Sequence, residues 1–484
     1  MPFKDYDQEQ QFLLPPSLHD FLPEGHLARV INEVVKELDL RKLYARYSDL
    51  GSPAYHPQMM IKVLFYAYAL GERSSRVIAH RLKSDLAYMY LSALQCPDFR
   101  TICRFRQENL ALLKDFFLQI VRLCREMGML SLGTIALDST KLKANASSRR
   151  TRKSRELEEE MASLDQEIES ILRECEERDR LEDEEMGEEG NIYDPPEELQ
   201  DKEKLRKRLR EAKEKFLKEQ RREINLTDPD STTMLHRHYG PEPSYNGLVA
   251  VEKENGLIVA ASLTNNPADC TSFQDLLEEV EGNTGEKPRE LLADSGFFSF
   301  ENLEYLEEKG IEGYMPDQMK ESIRKGTRRN RAYFKSEFRY DQERDCYICP
   351  EGESLPLKGI TRRKGKPDLK VYQCEKGSLC PKKGECTRMK RRLLLKDPRE
   401  PLMEKMRVRL STPEGRSKYQ KRKAIVEPVF GDLKHNRHMG SLLLRGRRKV
   451  SGEFLLMCIA HNLRKICRHL RRERVSFRLE MAVA

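Results

Sequence analysis

Three acids stand where a folded chain could gather them for metal chemistry: Asp138 closes the apolar run TIALD, Asp294 closes ELLAD, and Glu427 follows AIV. A carboxylate at the carboxyl end of a sheet strand lies at the rim, where ligands of α/β sheets collect. Three carboxylates in one place repel one another unless a cation sits among them, and hard oxygen ligands suit Mg²⁺ or Mn²⁺. Two such ions, roughly 3.5–4 Å apart, can activate an attacking water or 3′-hydroxyl and steady the leaving oxygen in phosphoryl transfer. Any one strand-end aspartate is more often a turn or cap residue. Composition does not single these three out of 80 acids.

A second group is made of thiols. Cys346 and Cys349 form a C-x-x-C pair, and Cys374, Cys380 and Cys386 follow in a short stretch rich in Lys and Gly. Four thiolates around tetrahedral Zn²⁺ would stabilise a segment too polar to fold alone. Five candidates for four places leave the second pair open, and free or redox-active cysteines are the alternative. A catalytic zinc is disfavoured, because no histidine or acid lies at ligand spacing within the cluster. Cys103, Cys124, Cys458 and Cys467 fall in helical apolar stretches and read as small buried hydrophobes. His236 and His238, on either side of Arg237, read as a surface loop. No glycine-rich phosphate loop, nucleophile elbow or dinucleotide fingerprint is present.

The elements that must carry these residues follow from periodicity. Three helical stretches come first: MMIKVLFYAYAL, with Gly71 as C-cap; SSRVIAHRLKSDLAYMYLSAL, capped by Ser74 or Ser75; and a long run after Pro97, capped by Asp98. The last carries Arg100, Arg104 and Arg106 in its first turns, which suits either a helix-turn-helix or an ordinary bundle with surface arginines. Then the pattern turns to strands. TIALD, a hairpin around Glu254-Asn255-Gly256, a helix closed by Gly282, and a strand–turn–helix–strand unit from Pro288 predict a mixed α/β sheet. Two segments interrupt it. Residues 149–225 are charge-dense with helical spacing of Leu, Ile and Phe, broken at 190–196, and predict an antiparallel helical hairpin. Residues 317–415 are basic and hold the cysteine cluster. The expected organisation is a helical domain over 1–128 and a catalytic domain over 129–484 containing both insertions.

At 484 residues the chain exceeds one compact core, and its net charge of +8 hides an asymmetry. Acids crowd Glu156 to Glu203; cations gather at Arg388 to Arg392 and from Arg437 to Arg472. Such basic surface favours polyanions through Coulomb attraction and counterion release, though charge alone names no function. No apolar run is long enough to span a membrane and the first residues carry no apolar signal core, so a cytosolic protein is expected.

ALDSTKLKANAS, LLADSGFFS and the segment from Lys421 to Ile466, containing KRKAIVEPVFGDLKHNRHMG, together resemble DDE transposases of bacterial insertion sequences. The similarity is greatest to the group with an N-terminal helical domain, a ribonuclease-H-like core and a cysteine-rich insertion, and it runs in order from near Pro57 to Ile466. In these enzymes a lysine follows the third acid after six intervening residues, a spacing that Glu427 and Lys434 keep; two helical turns would place both on one face. A tyrosine and an arginine usually precede the acid. Here Lys423 occupies the arginine spacing, Arg422 comes one residue earlier, and Tyr419 stands beside Gln420 at the tyrosine spacing. Pro428 suits a first helical turn better than an interior, which puts Glu427 at a helix start or a kink.

The resemblance implies Asp138, Asp294 and Glu427 as ligands of two Mg²⁺ (or Mn²⁺) ions and Lys434 as a phosphate contact. It implies Lys141 and Lys143 near the scissile phosphate, and Arg437, Arg445, Arg447 and Arg448 on the DNA backbone. Arg100, Arg104 and Arg106 would meet the terminal inverted repeats. Water would attack a transposon-end phosphodiester, and the freed 3′-hydroxyl would then attack target DNA. The enzyme would act on double-stranded DNA, as a homodimer in that complex, in a cytoplasm whose nucleoid it joins when bound. Two alternatives stay open: a nuclease of the same fold that cuts without joining, and a non-catalytic DNA-binding regulator derived from a transposase.

Overall fold

The computed structural model describes residues 17–47, 53–186, 197–219, 221–236, 240–317 and 333–473. Helices α1 (Leu27–Glu37), α2 (Arg41–Tyr44), α3 (Pro57–Leu70), α4 (Ser75–Ser84), α5 (Leu86–Ser92), α6 (Phe99–Asn109) and α7 (Leu113–Glu126) come first. α3 is apolar on nearly every side, which is tolerable only at the centre of a bundle, and its residues are buried almost throughout. Gly71 ends it at φ 86°, as expected. A Cβ at Gly71 would stand 2.8 Å from the backbone oxygen of Arg437, so glycine is required for a close approach as well as for the turn.

The stretch from Ser74 to Leu94, expected to be one helix, is two. Asp85 adopts an extended conformation and its carboxylate accepts the N–H groups of Ala87 and Tyr88, capping α5 and interrupting the run. Asp98 caps α6 as expected, accepting from Thr101 at 2.6 Å, but a 3₁₀ turn at Leu110–Leu112 separates α6 from α7.

The sheet follows: β1 (Thr134–Lys143), β2 (Thr151–Lys153), the helices α8 (Ser154–Met186) and α9 (Glu197–Lys218), then β3 (Glu223–Asn225), β4 (Thr232–His236), β5 (Gly240–Glu252) and β6 (Ile258–Thr264). Next come α10 (Phe273–Thr284), β7 (Glu290–Leu292), α11 (Phe300–Lys309) and β8 (Glu312–Tyr314). β1 is central: antiparallel to β5, parallel to β7, with β8 parallel beyond β7 and both β4 and β6 on the far side of β5. Numbered along the chain, β1, β5, β6, β7 and β8 lie in the order 3-2-1-4-5 with only the second reversed, the mixed sheet of a ribonuclease-H-like core. The predicted hairpin is β5–β6, with Gly256 at φ 66°. α10 overruns Gly282 and stops at Gly285 (φ 74°), because the buried Asn283 donates to the Val259 carbonyl at 2.9 Å and Thr284 to Val280 at 2.6 Å, holding one more turn in place.

The first insertion is a helical hairpin, as expected: Leu157, Leu164 and Ile168 of α8 pack on Leu209, Ala212 and Phe216 of α9, and β2 pairs with β3 at its base. The separator at 190–196 lies outside the described residues, as does most of the basic start of the second insertion. That insertion holds a sheet ordered β13-β12-β11-β10-β9, from β9 (Arg339–Asp341), β10 (Cys346–Ile348), β11 (Ser354–Arg363), β12 (Lys366–Gln373) and β13 (Leu393–Lys396). It is less polar inside than its composition suggests. Phe338, Leu355, Leu394 and the tyrosines Tyr347 and Tyr372, whose rings meet edge-on at 5.0 Å, form its own core.

Three helices complete the chain: α12 (Glu400–Ser411), α13 (Pro413–Gly431) and α14 (Arg447–Glu473). α14 joins the two halves. It packs on α1, α3 and α7 on one side and on β6 on the other, and both amide ends of the buried Asn462 bond the Ile258 backbone. One apolar core therefore runs from the N-terminal helices into the sheet. No helix among the described residues is long and apolar enough to cross a membrane.

Candidate active site

Asp138 was expected to end its strand; instead β1 continues to Lys143, because β5 pairs with it that far, opposite Ser244. Its neighbours Ala136 and Leu142 belong to the core under α14, so by strand alternation Asp138 faces that layer too, where α13 runs. Asp294 follows β7, and its carboxylate caps a short 3₁₀ turn by accepting the Gly296 N–H at 2.9 Å. Because β1 and β7 are adjacent and parallel, the two aspartates arrive side by side.

The phase of α13 is set by Lys418, which pairs with Glu290 of β7 at 2.7 Å and lies over the Tyr314 ring of β8. One turn later Arg422 therefore meets the sheet, 2.9 Å from Asp138 and nearly buried. Burial pushes the Asp138 carboxyl up to about 6; the Arg422 charge opposes this and the neighbouring Asp294 adds to it. Asp294 is raised as well, by burial first, with Arg422 and the Gly296 N–H opposing and Asp269 adding. Two acids are thus crowded into a poorly solvated place with one guanidinium between them.

Asp269 is the member that sequence reasoning missed. Lys141 of β1 and Asn246 of β5 stand opposite each other in the sheet register, and both donate to its Oδ1, at 3.2 and 2.6 Å. A Cβ on Gly296 would stand 2.8 Å from Oδ2 of Asp269 and 3.0 Å from Oδ1 of Asp294, so these two carboxylates flank Gly296. The only sequence signal was an acid in a polar turn between β6 and α10, which dozens of others share.

Glu427 is placed elsewhere. It lies exposed on α13, five residues after Arg422 and so about 140° further round the helix. Pro428 sits inside the helix, not at its start, and a single π-helical turn follows at Asp432–Asn436. That irregularity breaks the expected face-sharing of Glu427 and Lys434. Lys434 turns inward instead: its ammonium donates to the Lys141 carbonyl at 2.9 Å, and its pKa is lowered by burial and by Lys141, with Asp138 opposing. Among the described residues, no three His, Cys, Asp or Glu side chains come close enough to hold a metal ion as they stand.

The expected DNA contacts divide. Arg100, Arg104, Lys423, Arg445, Arg447 and Arg448 are exposed. Arg100 and Arg76 lie against the partly exposed ring of Phe99. Lys143 pairs with Glu242 at 3.1 Å. Arg106 and Arg437 are corrections, being 6% and 2% exposed. Arg106 donates to the Tyr68 hydroxyl and the Arg73 carbonyl, and Arg437 pairs with Asp432 at 2.9 Å, so both brace the interior.

In the second insertion, Cys349 Sγ accepts the Glu353 N–H at 3.2 Å, and Cys349 and Cys386 pack beside buried Cys374. Burial pushes the Cys386 thiol up; Arg392 opposes this, and the nearby Cys349, Cys380 and Cys374 thiols add to it. Cys346 is buried on β10.

Two stretches of the chain match family models. Residues 348–467 match a model described as "Transposase DDE domain", and residues 16–108 match one described as "Transposase domain (DUF772)". The first match spans Arg422, Glu427 and Lys434 but not Asp138 or Asp294. No curated protein and no solved structure matches the chain.

Proposed function

Since its two matched domains make this chain a DDE transposase of insertion-sequence type, we propose that it cuts DNA at the ends of an element and joins them to a target, with Asp138 and Asp294 at the reacting phosphate. The observation that carries this reading is the crowding of those two carboxylates around Arg422 at the centre of the sheet. Like charges held together in a half-dry place are relieved by a divalent cation, and Mg²⁺ is commonly bound by one or two carboxylates together with substrate phosphates. Asp138 and Asp294 would hold it; bound there, it would supply charge for the developing phosphorane and a more acidic nucleophile. Glu427 joins the pair in this reading only if α13 turns, and Pro428, which cannot donate to the preceding turn, weakens the helix next to it.

The chain's own part is positioning. Arg422 holds Asp138, while Asp269 holds Lys141. In this reading the Lys434 and Lys141 cations grip non-bridging phosphate oxygens, exchanging the protein oxygens they now hold. Water adds to phosphorus as the bond to the 3′-oxygen breaks, and that oxygen leaves as a hydroxyl. The hydroxyl then adds to a target phosphorus, displacing another 3′-oxygen. A supercoiled target incubated with a fragment carrying the element's ends and Mg²⁺ should give covalent joint molecules. Nicks without joints would favour a nuclease, and no Mg²⁺-dependent product at all would favour a non-catalytic regulator.

For the thiol cluster we propose a structural zinc on Cys349, Cys374, Cys380 and Cys386, which must draw together to bind it. Purified protein should then carry one zinc per chain. Cys386→Ser should lose it and Cys346→Ser keep it, and metal analysis that finds none in the native protein refutes the site.

A further inference from the structure

Three arginines from distant parts of the chain line one cavity: Arg150 at the end of a 3₁₀ turn after β1, Arg208 on α9, and Arg445 just before α14. Thr227 and the apolar side chains of Leu205, Leu209 and Leu226 complete its wall. All three arginines are exposed, and none forms an ion pair with an acid among the described residues. Other cations of the hairpin are matched by acids: Lys202 pairs with Glu167, Arg206 with Asp165, Lys213 with Glu158, and Lys215 with Asp230. Of the nearby acids, Asp228 faces Arg445 as a partial counter-charge. Asp228 is buried, taking the Tyr245 hydroxyl and the Gly446 N–H, and Glu242 is paired with Lys143. Three convergent guanidiniums that share one buried carboxylate repel one another until an anion enters, and their fork matches phosphate oxygens.

A second cavity shares Arg150, Thr227 and Arg445 and continues past Ser147 and Ser148 to Lys143. Lys143 lies five residues along β1 from Asp138, or about 17 Å in an extended strand. By strand alternation Lys143 stands on the opposite face of the sheet from Asp138, so the cavity joins the end of β1, not the paired aspartates, to the base of the helical insertion.

We propose that Arg150, Arg208 and Arg445 form a phosphate-binding pocket for the DNA backbone, making the helical insertion a clamp on the duplex being cut. The proposal rests on reading the chain as an enzyme that acts on DNA. It adds a role for an insertion that otherwise reads as a solvated arm.

The test uses the full chain and a fluorescent duplex of arbitrary sequence, with affinity measured across salt concentrations. Each phosphate contact contributes roughly 0.9 to the slope of log affinity against log salt. Arg150→Gln/Arg208→Gln should lower that slope by about 2 and weaken binding at least about tenfold at moderate salt. Arg150→Lys/Arg208→Lys, which keeps both charges, should restore most of the slope. An unchanged slope in a glutamine variant that melts like wild type overturns the clamp while leaving Mg²⁺-dependent cutting intact. Wild-type protein that binds duplex DNA without salt dependence overturns the clamp together with the reading beneath it.

Discussion

Asp294→Ala should cut DNA at least about a thousandfold more slowly than wild type, a loss of about 4 kcal/mol of transition-state stabilisation. Binding to the same DNA should stay nearly unchanged. Asp294 hangs from the end of β7 and caps one short turn, so removing its carboxylate takes a charge from the proposed reacting centre without opening the core. Cleavage in Mg²⁺ read beside a gel-shift separates the two effects, and cutting within a few-fold of wild type would refute the assignment. Glu427→Ala and Asp269→Asn are the informative companions. A loss at Glu427 equal to that at Asp294 means that α13 turns when DNA binds. Near-normal cutting by Glu427→Ala with a deep loss in Asp269→Asn assigns the third acidic position to Asp269.

The second large effect is on stability. Arg73, just beyond α3, lies 3.2 Å from Glu453 of α14, with side chains 9% and 0% exposed, and Glu453 also accepts the N–H groups of Leu443 and Leu444. Arg73 in turn donates to the carbonyls of His438 and Ser441. Removing one partner of such a pair strands a buried charge. Glu453→Ala should therefore cost about 3–5 kcal/mol, much of the stability of an ordinary domain. An unfolding free energy, from urea titration, lowered by less than a quarter of that amount would mean that water already reaches the pair.

How much of this was legible in the sequence depends on the range of the cause. Gly71, Asp98 and the Glu254–Gly256 turn were readable because a cap or turn is written in neighbouring residues. Asp138 and Asp294 stood out as acids after apolar runs, which is what a buried strand looks like. The errors have longer-range causes. Arg106 and Arg437 look like surface arginines until Tyr68 and Asp432 are brought to them by folding. Face-sharing by Glu427 and Lys434 assumed a regular helix, and one π-helical turn undoes that count. Asp269 had no pattern to betray it, because its partners Lys141 and Asn246 come from two strands and meet only in the sheet. Asp85 is the exception: an acid after Ser84 is a local stop signal that apolar periodicity outweighed.

That α14 is shared by the N-terminal bundle and the sheet makes the molecule a ruler. On the function proposed above, a sequence gripped by the bundle and a bond broken at the sheet are held apart by a span that the shared helix fixes. An element whose recognition sequence drifts by a single base pair from its tip would offer the wrong phosphate, turned away from the paired aspartates. The distance between an element's recognised bases and its boundary is then inherited with the fold.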